Sequence, residues 1–466
     1  WWLCGVALAE PLALDAALDE AIASNLELRA ARAALGLSEQ ALVRARSAFD
    51  PTLTVGVDTS TTNRPNNDQF VGQDVLRTAS TGWSAALSQP LPTGGSVSAS
   101  WWERASSSNA LDVIQADTVS DAATLALSQP LLRGAWRAGV ADLAVARALA
   151  DDAELAWRTA VEQTMLDASD AYWGLVSART SLELAVRSRE IAETSLTETR
   201  ERHDEGFAGV GDLHQVERAL GASRQAEVGA RTEVTLAETR LRRVLGRPAL
   251  GGEPIEPVDE PAVPDAVPEL DAVLTLAQRG NAQWLRDRIA YDQARLQARQ
   301  TRNAALPDVG VAGSVGVSGL GGSAGQARRQ AIAGRFNDWT VGADVTVPLP
   351  GRAARADLAS AGHLASSAQA ALEAAEQDLA LRVQAAVLRA ERDRQRVLLA
   401  ADTVGFARLA LEADQEMLRE GQGSTRDVVQ SLEALDLETA AELAARIDLQ
   451  RSLLELKRVA GTLVAP

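Results

Sequence analysis

The chain has 466 residues and a formal net charge of −17 at pH 7. So acidic a chain offers no basic stripe to neutralise phosphates, which disfavours a nucleic-acid partner. Aromatic residues make up only 4% of the sequence, too few for an ordinary globular core of this size. A core of Ala, Leu and Val at helical spacing instead predicts long, closely packed helices.

Residues 1–9 are predicted to be the remnant of a secretory signal peptide, with Ala7-Leu8-Ala9 as its cleavage site. The mature chain would then be exported and free of cysteine, because the single cysteine is Cys4. Lipid attachment at Cys4 is the alternative, although the residues before it match poorly the small side chains that such a site needs. No run of 18 apolar residues follows, so the sequence predicts no transmembrane helix.

The rest of the chain contains one structural unit twice. The first predicted repeat covers 10–246, the second covers 269–466, and a proline-rich linker at 247–268 separates them. Three landmarks of the first repeat recur in the second: Asn25 as Asn281, Asp212 as Asp427 and Gly246 as Gly461. The distance along the chain between a landmark and its recurrence is 256 residues for landmarks before the strands and 215 residues for those after them. The first repeat therefore has 41 extra residues among its strands. A duplication of this length predicts two copies of one architecture.

Each repeat is predicted to run from a short helix through strands to a long helix, a tip and a return helix. In the first repeat these are a helix at 12–48, strands within 52–130, a long helix at 142–205, a tip at 206–211 and a return helix at 212–246. In the second they are a helix at 270–305, strands within 308–348, a long helix at 357–420, a tip at 421–426 and a return helix at 427–461. The return helices are too short to match the long ones, so a short helix of one repeat is expected to stack end to end on one of the other. Proline excludes helix from the linker, which is expected to cross the helices as an extended equatorial band.

The hydrophobic period changes from 3.6 to 2 in the strand regions, as where Leu53, Val55 and Val57 alternate with polar residues and glycine. This alternation predicts six strands of about 9 to 11 residues, four in the first repeat and two in the second, the length that crosses a bilayer when tilted. Long polar loops are predicted at 63–80 and 104–121, with a tight turn at 90–95. A soluble β-sandwich would show the same alternation, but its strands would not be joined to helices of this length.

Four short motifs stand at the ends of these elements. They are Gln129-Pro130-Leu131, Val347-Pro348-Leu349, Gly206-Phe207-Ala208-Gly209-Val210-Gly211-Asp212-Leu213 and Gly421-Gln422-Gly423-Ser424-Thr425-Arg426-Asp427-Val428. With this order of elements, the chain resembles the TolC family of outer-membrane factors, the exit ducts of tripartite efflux pumps and type I secretion systems. The resemblance implies an α+β membrane protein in which duplicated helical hairpins form a trimeric periplasmic α-barrel topped by a β-barrel in the outer membrane of a Gram-negative bacterium. It also implies a periplasmic adaptor (membrane fusion) protein and an inner-membrane RND or ABC pump as partners, outer-membrane lipid as surroundings, and no cofactor.

In this family the tips form the periplasmic aperture and meet the adaptor. The matching residues here are Gly206, Gly209, Asp212, Leu213, Gly421, Thr425, Asp427 and Val428. The resemblance implies that Asp427 projects to the axis as a ring of three carboxylates, and that Gln430 replaces a second acidic ring one turn later. From the residues alone, the tips are helical hairpins in which Gly206 and Gly421 end helices and the two aspartates cap the next ones. Arg419 and Arg426 are the nearest candidates for closing contacts at the aperture, and both are equally interpreted as solvated surface charges.

Aromatic and acidic residues of the strands suggest how the sheet meets its surroundings. Trp83, Trp101, Trp102 and Trp339 are predicted to form lipid-interface girdles, with ordinary packing in a sheet as the alternative. Asp58 and Asp344 fall on the polar side of their strands and are expected to line the barrel lumen. The sequence contains no nucleophile with a base, phosphate loop or metal cluster, which predicts that the protein is not an enzyme.

The family usually supplies four strands per protomer, so the extra hairpin around Pro90-Leu91-Pro92-Thr93-Gly94-Gly95 either widens the barrel or forms a flap. The predicted function is a passive trimeric exit duct, gated at the tips and serving either efflux or type I protein secretion. A periplasmic coiled-coil adaptor or scaffold without a membrane barrel is the alternative from another class.

Overall fold

A computed structural model describes residues 10–65, 74–110, 116–136, 139–206, 209–347, 349–420, 422 and 425–464. The predicted signal segment 1–9 and Gly421 lie outside these residues. The chain divides into two compact units. The helical unit comprises residues up to Leu35, Ala153–Asp287 and those from Glu373 onward; the sheet unit comprises Gly36–Asp152 and Arg288–Leu372.

The described residues form the following helices: α1 Leu14–Ser24, α2 Leu26–Arg46, α3 Ala141–Asp204, α4 Val210–Val244, α5 Leu270–Gly280, α6 Ala282–Ala304, α7 Ala324–Ile332, α8 Arg352–Arg419 and α9 Thr425–Ala460. The strands are β1 Glu10–Leu12, β2 Thr52–Pro65, β3 Val75–Pro90, β4 Ser96–Ser108, β5 Asp117–Pro130, β6 Ile255–Pro257, β7 Asp308–Gly321 and β8 Phe336–Thr346. No helix in the described part of the chain is both long enough and apolar enough to span a bilayer.

The predicted helix at 12–48 is wrong, because Asn25 divides it into α1 and α2. The backbone of Asn25 is extended, with φ −60° and ψ 130°. Its side-chain oxygen accepts the backbone N–H of Leu28 at 3.0 Å, which caps α2, and its amide nitrogen donates to the carbonyl of Val244 at 2.9 Å. One buried side chain therefore begins α2 and satisfies a carbonyl at the end of α4.

The predicted helix at 270–305 is interrupted in the same way by Asn281. Its side-chain oxygen accepts the N–H of Trp284 at 2.9 Å, and its amide nitrogen donates to the carbonyl of Val459 at 2.9 Å. Each asparagine thus joins the end of a return helix to the start of a short helix from the same repeat. The expectation that a short helix meets one from the other repeat is wrong, since the asparagine bonds join α4 to α2 and α9 to α6.

Glycine ends the return helix at both junctions. Gly246 and Gly461 have φ values of 71° and 70°, the left-handed conformation that closes a helix C-terminus. A Cβ on Gly246 would lie 2.3 Å from the carbonyl oxygen of Ser24, and one on Gly461 would lie 2.1 Å from the carbonyl carbon of Gly280. The recurring Asn and Gly landmarks of the sequence are therefore the two halves of one helix junction, built twice.

The core of the helical unit is likewise present in two versions. In the first, α1 packs on α3 and α4 through buried residues that include Ala21, Tyr172 and Leu241. In the second, α5 packs on α8 and α9 through Ala277, Leu456 and their neighbours. Small residues on α1 and α5, such as Ala17 and Ala277, allow these close helix contacts.

The proline-rich linker is extended and crosses three helices of the helical unit. Its strand β6 pairs in parallel with β1. The carbonyl of Ile255 accepts a hydrogen bond from Arg179 on α3 at 2.6 Å, that of Ala262 accepts one from Gln450 on α9, and that of Asp265 accepts one from Arg394 on α8 at 3.2 Å. The linker therefore ties together helices from both repeats.

Tyr172 fixes the place where the linker meets the N-terminal strand. Its hydroxyl lies 3.0 Å from the carbonyl oxygen of Leu12 and 2.9 Å from Oδ2 of Asp259, and it accepts the N–H groups of Val258 and Asp259 at 3.1 Å. Burial and the neighbouring Asp259 carboxylate raise the pKa of Tyr172 to about 12, although the two N–H groups that donate to its hydroxyl lower the pKa. The hydroxyl therefore stays protonated and bridges both segments at physiological pH.

The described residues of the sheet unit form six antiparallel strands in the order β2-β3-β4-β5-β7-β8. They have 11 to 16 residues each, so the predicted length of about 9 to 11 is wrong for most of them. The ladder continues into residues predicted to be loop, such as Thr78 opposite Thr62. Polar cross-strand pairs, including Ser60 with Ser80 at 3.0 Å, extend the strands beyond their apolar part.

Candidate functional site

The strand register separates the sheet into an apolar face and a polar face. The apolar face carries a row with one residue from each strand in order: Leu53, Leu87, Ala99, Leu125, Val315 and Trp339. The adjacent row on the polar face consists of Thr52, Ser88, Ser98, Ala126, Ser314 and Thr340. Because side chains alternate along each strand, these rows point to opposite sides of the sheet.

The apolar face is open. Leu53 is 68% exposed, Val315 is 56% exposed and Trp339 is 74% exposed. A contiguous apolar surface of this kind marks contact with lipid or with another apolar surface, whereas scattered exposed residues would need no explanation. Its alternation with a polar face is the pattern of a strand that separates lipid from water.

Three of the four predicted interface tryptophans share the apolar face. Trp83 pairs with Val57, Trp101 with Ala123, and Trp339 occupies the row described above. Trp102 does not belong with them, because it pairs with Ser84 and Ala122 on the polar face. Consecutive strand residues point to opposite faces, so the sequence Trp101-Trp102 cannot place both rings in one girdle.

A charged cluster that the sequence analysis missed covers one end of the apolar face. Arg328 on α7 contacts Glu103 at 2.7 Å and Asp121 at 3.6 Å, and its guanidinium carbon lies 5.8 Å from the ring centre of Trp101. The indole N–H of Trp101 donates to Asp121 at 3.1 Å. The helix approaches so closely that a Cβ on Gly319 would meet the carbonyl of Ala327 at 1.9 Å. The sequence pattern gave no signal for this cluster, because Arg328 is more than 200 residues away from Glu103 and Asp121 along the chain.

The polar face carries the two predicted lumen carboxylates. Asp58 forms an ion pair with Arg104 at 3.2 Å, reaching across Gly82, whose missing side chain leaves room for it. Asp344 lies beside Gly310 in the same manner, since a Cβ there would come within 2.9 Å of its carboxylate. Glycine therefore makes space for acidic groups on this face.

The first tip is a helical hairpin closed by glycine. Gly206 has φ 82° and its N–H donates to the carbonyl of His203 at 3.0 Å, so it adopts the left-handed conformation predicted for it. The return helix α4 begins at Val210, directly after Gly209, and the N–H of Leu213 donates to the carbonyl of Gly209 at 3.3 Å. Asp212 is the third residue of α4 rather than its N-cap, and its side chain lies outside the described atoms.

The second tip places Asp427 in the first turn of α9, where its side chain is exposed. It is the third residue of the helix, so the N-cap prediction is wrong here too; a carboxylate in this turn instead meets the positive end of the helix dipole. Gln430 is exposed almost one turn further on, and Val428 is half-buried. The side chain of Thr425 is not among the described atoms.

Neither arginine considered for aperture closure links the two hairpins in the described contacts. Arg419 pairs with Glu416 of its own helix at 2.8 Å, and Arg426 is exposed. Among the described contacts, ion pairs between α3 and α4 hold the first hairpin together instead. They are Arg189 with Glu227 at 2.7 Å, Glu193 with Arg224 at 3.1 Å and Arg200 with Glu217 at 3.3 Å.

Contacts between α3 and α9 join the first hairpin to the second. Arg187 of α3 pairs with Asp436 of α9 at 3.0 Å, and Asp170 of α3 pairs with Arg451 of α9 at 2.7 Å. The Arg187–Asp436 pair is nearer to the tips along both helices. Asp436 is only 16% exposed, so its carboxylate is less screened by water than that of Asp170, which is 55% exposed.

Comparison with known proteins identifies the architecture. A sequence profile of the family described as "Outer membrane efflux protein" matches residues 17–247 and 273–462. The chain belongs to this outer membrane efflux protein family. The family consists of channel proteins rather than enzymes, and its homologues place this protein in the outer membrane of a Gram-negative bacterium, extending into the periplasm.

Two TolC proteins and one solved channel illustrate the similarity to individual proteins. Outer membrane protein TolC of Escherichia coli is 25% identical over 225 residues, which cover 47% of this chain and 43% of TolC. TolC of Vibrio cholerae is 24% identical over 306 residues, covering 64% of this chain and 68% of that protein. The CmeC outer membrane channel of Campylobacter jejuni superimposes with a TM-score of 0.67 at 14% identity, over 97% of this chain and 86% of CmeC. The matched segment thus spans less than half of E. coli TolC, while the fold is shared over nearly the whole chain.

Proposed function

We propose that this protein is the outer-membrane channel of a tripartite efflux or type I secretion system, acting as a passive trimeric exit duct. The observation that carries the proposal is the six-stranded sheet with one exposed apolar face and one polar face. Such a sheet separates lipid from water once its edges are paired. The strands lead into α3 and α8, helices of 64 and 68 residues, which correspond to about 96 and 102 Å at 1.5 Å per residue. A periplasmic coiled-coil adaptor without a barrel would leave the apolar face unexplained.

The duct would be gated at its periplasmic tips. Three copies of Asp427 would form a ring of carboxylates, with Gln430 one turn further on adding no charge. A narrow opening lined with one sign of charge focuses the potential, which favours cations and slows anions. A periplasmic adaptor, recruited by an inner-membrane RND or ABC pump, would meet the tip residues Gly206, Gly209, Asp212 and Leu213 of the first tip and Gly421, Thr425, Asp427 and Val428 of the second.

Planar-bilayer conductance of the detergent-purified protein, with its mass in detergent, tests this function. A trimer with small, cation-selective steps is expected. Asp427→Asn should lower the cation selectivity and weaken block by Mg²⁺ about tenfold in Mg²⁺ concentration, because the focused negative potential is lost. Glu433→Gln, which removes an exposed carboxylate from the same helix, is the matched control and should change neither property. A soluble monomer without channel activity would contradict the proposal.

The Arg187–Asp436 pair should hold the closed state, because opening of the tips requires the second hairpin to move against the first. Asp436→Asn removes an ion pair worth about 0.2–1 kcal/mol per protomer, so the open probability in bilayers should rise several-fold in the trimer. Asp170→Asn breaks the corresponding pair further from the tips and should leave the open probability unchanged. Equal effects of the two variants would indicate general loosening of the α3–α9 contact instead of a gate.

A further inference from the structure

We infer that the hairpin β3–β4 belongs to the membrane-spanning wall, and that copies of the chain join through β2 of one copy and β8 of the next. Three copies of the six-stranded sheet would then close a barrel of eighteen strands. The inference rests on the proposed function, in which three copies share one barrel. The partner assigned to each sheet edge is a neighbouring copy of this chain.

The hairpin lies inside the sheet rather than at its edge. β3 pairs with β2 from Val75 to Ser88, and β4 pairs with β5 from Ser96 to Ser107. β2 has no other neighbour in the described part of the sheet, so it is connected to β5 only through β3 and β4. A flap lying outside the wall would leave β2 detached from the remaining strands.

The hairpin also continues the two-faced pattern of the sheet in register. Leu87 and Ala99 stand between Leu53 and Leu125 in the apolar row. Ser88 and Ser98 continue the adjacent polar row on the other side. A hairpin surrounded by water would gain nothing from an apolar face aligned with its neighbours, whereas a strand in the wall requires one.

The turn of the hairpin is anchored at the end of the sheet that leads into α3. Thr93 donates its hydroxyl to the side-chain oxygen of Gln129 at 2.7 Å, and its carbonyl accepts the N–H of Trp136 at 2.8 Å. Gly94, with φ 85°, packs so closely that a Cβ would lie 2.0 Å from the carbonyl oxygen of Gly134. These contacts fix the turn against neighbouring backbone and argue against a flap that moves independently.

The two edges of the sheet are complementary. Thirteen of the 14 residues of β2 and all 11 residues of β8 are exposed, and within the described sheet each strand pairs on one side only. Unpaired backbone groups in lipid cost several kcal/mol each, so both edges need partners. Six antiparallel strands leave β2 and β8 running in opposite directions, so β8 of one copy meets β2 of the next as an antiparallel pair. Repetition of this contact by rotation closes a ring.

Lipid quenching of single-cysteine variants tests the wall. Cys4 is replaced by serine, and a bimane label is attached at Leu87→Cys or Ala99→Cys in vesicles that contain nitroxide-labelled phospholipid. Quenching at these two positions should match, within about twofold, that of the references Leu53→Cys and Val341→Cys on the edge strands. It should exceed that of the matched controls Ser88→Cys and Ser98→Cys, on the polar face, by about threefold or more.

The outcomes separate this inference from the proposed function. If the reference labels are quenched but those at Leu87→Cys and Ala99→Cys are not, the hairpin lies outside the wall. That result would overturn this inference and leave the proposed function standing. Unquenched reference labels would mean that the sheet does not enter lipid, and the proposed function would then fail together with this inference.

The contact between copies is tested by combining Thr54→Cys with a cysteine at each position of 337–345 in turn. At least one combination should give disulfide-linked dimers and trimers, and no larger species, on a non-reducing gel. If no combination gives linked chains, the edge pairing is wrong.

Discussion

Gly461→Ala is expected to destabilise the helical unit by about 2–4 kcal/mol, because the position combines backbone strain with a steric clash. The residue has φ 70°, which side chains with a Cβ rarely adopt. The added carbon would lie 2.1 Å from the carbonyl carbon of Gly280 and 2.5 Å from the nitrogen of Asn281. The end of α9 would have to move away from α6, which breaks the asparagine hydrogen bond between them. Urea unfolding of the purified protein, followed by helical circular dichroism, measures the effect.

Gly405→Ala is the matched control for this change. Gly405 lies inside α8 and has no atom within 4 Å of the position that a Cβ would occupy. Alanine there should stabilise the helix by about 0.5–1 kcal/mol. Gly246→Ala should resemble Gly461→Ala, because its Cβ would lie 2.3 Å from the carbonyl oxygen of Ser24. A Gly461→Ala protein with unchanged stability would show that the two helices are not held together at this junction.

The helices and strands could be predicted from the sequence better than the junctions between them. Alternation of apolar and polar residues depends only on the chain's own backbone, so the six strands and their two faces could be inferred from residues such as Leu53 and Val55. The break at Asn25 could not be inferred in the same way. An asparagine inside a helical pattern is tolerated, and it becomes a cap here only because the end of α4 supplies a carbonyl from 219 residues away.

The same holds in the candidate site: features that depend on neighbouring residues were predictable, whereas contacts between distant parts of the chain were not. Gly206 was predicted correctly, because closure of a helix by a left-handed glycine is a local event. Trp102 was misplaced although alternation alone excludes it from the face of Trp101. The contacts of Arg328 with Glu103 and Asp121 depend on α7 folding back over strands far away in sequence, for which periodicity gives no signal. The roles proposed for Asp427 and for the other tip residues stay predictions.

Val315→Arg is expected to prevent stable insertion of the sheet, because it places a charge on the apolar face. Val315 is 56% exposed and belongs to the row that crosses all six strands. An arginine facing lipid near the bilayer centre costs about 2–4 kcal/mol, and each copy in a trimer would bear that cost. The amount of trimer recovered from the outer-membrane fraction should therefore fall by about tenfold or more, as measured by quantitative blotting against the unmodified protein.

Ser314→Arg provides the matched control in the same strand. It adds the same charge at nearly the same depth, but Ser314 pairs with Ala126 and Thr340 on the polar face. An arginine there would face water, so near-normal amounts of trimer are expected. Equal loss in both variants would point to a steric requirement on both faces, as in a sandwich of packed sheets. Equal tolerance would show that the apolar face does not meet lipid, whereas loss confined to Val315→Arg requires lipid on one side of the sheet and water on the other.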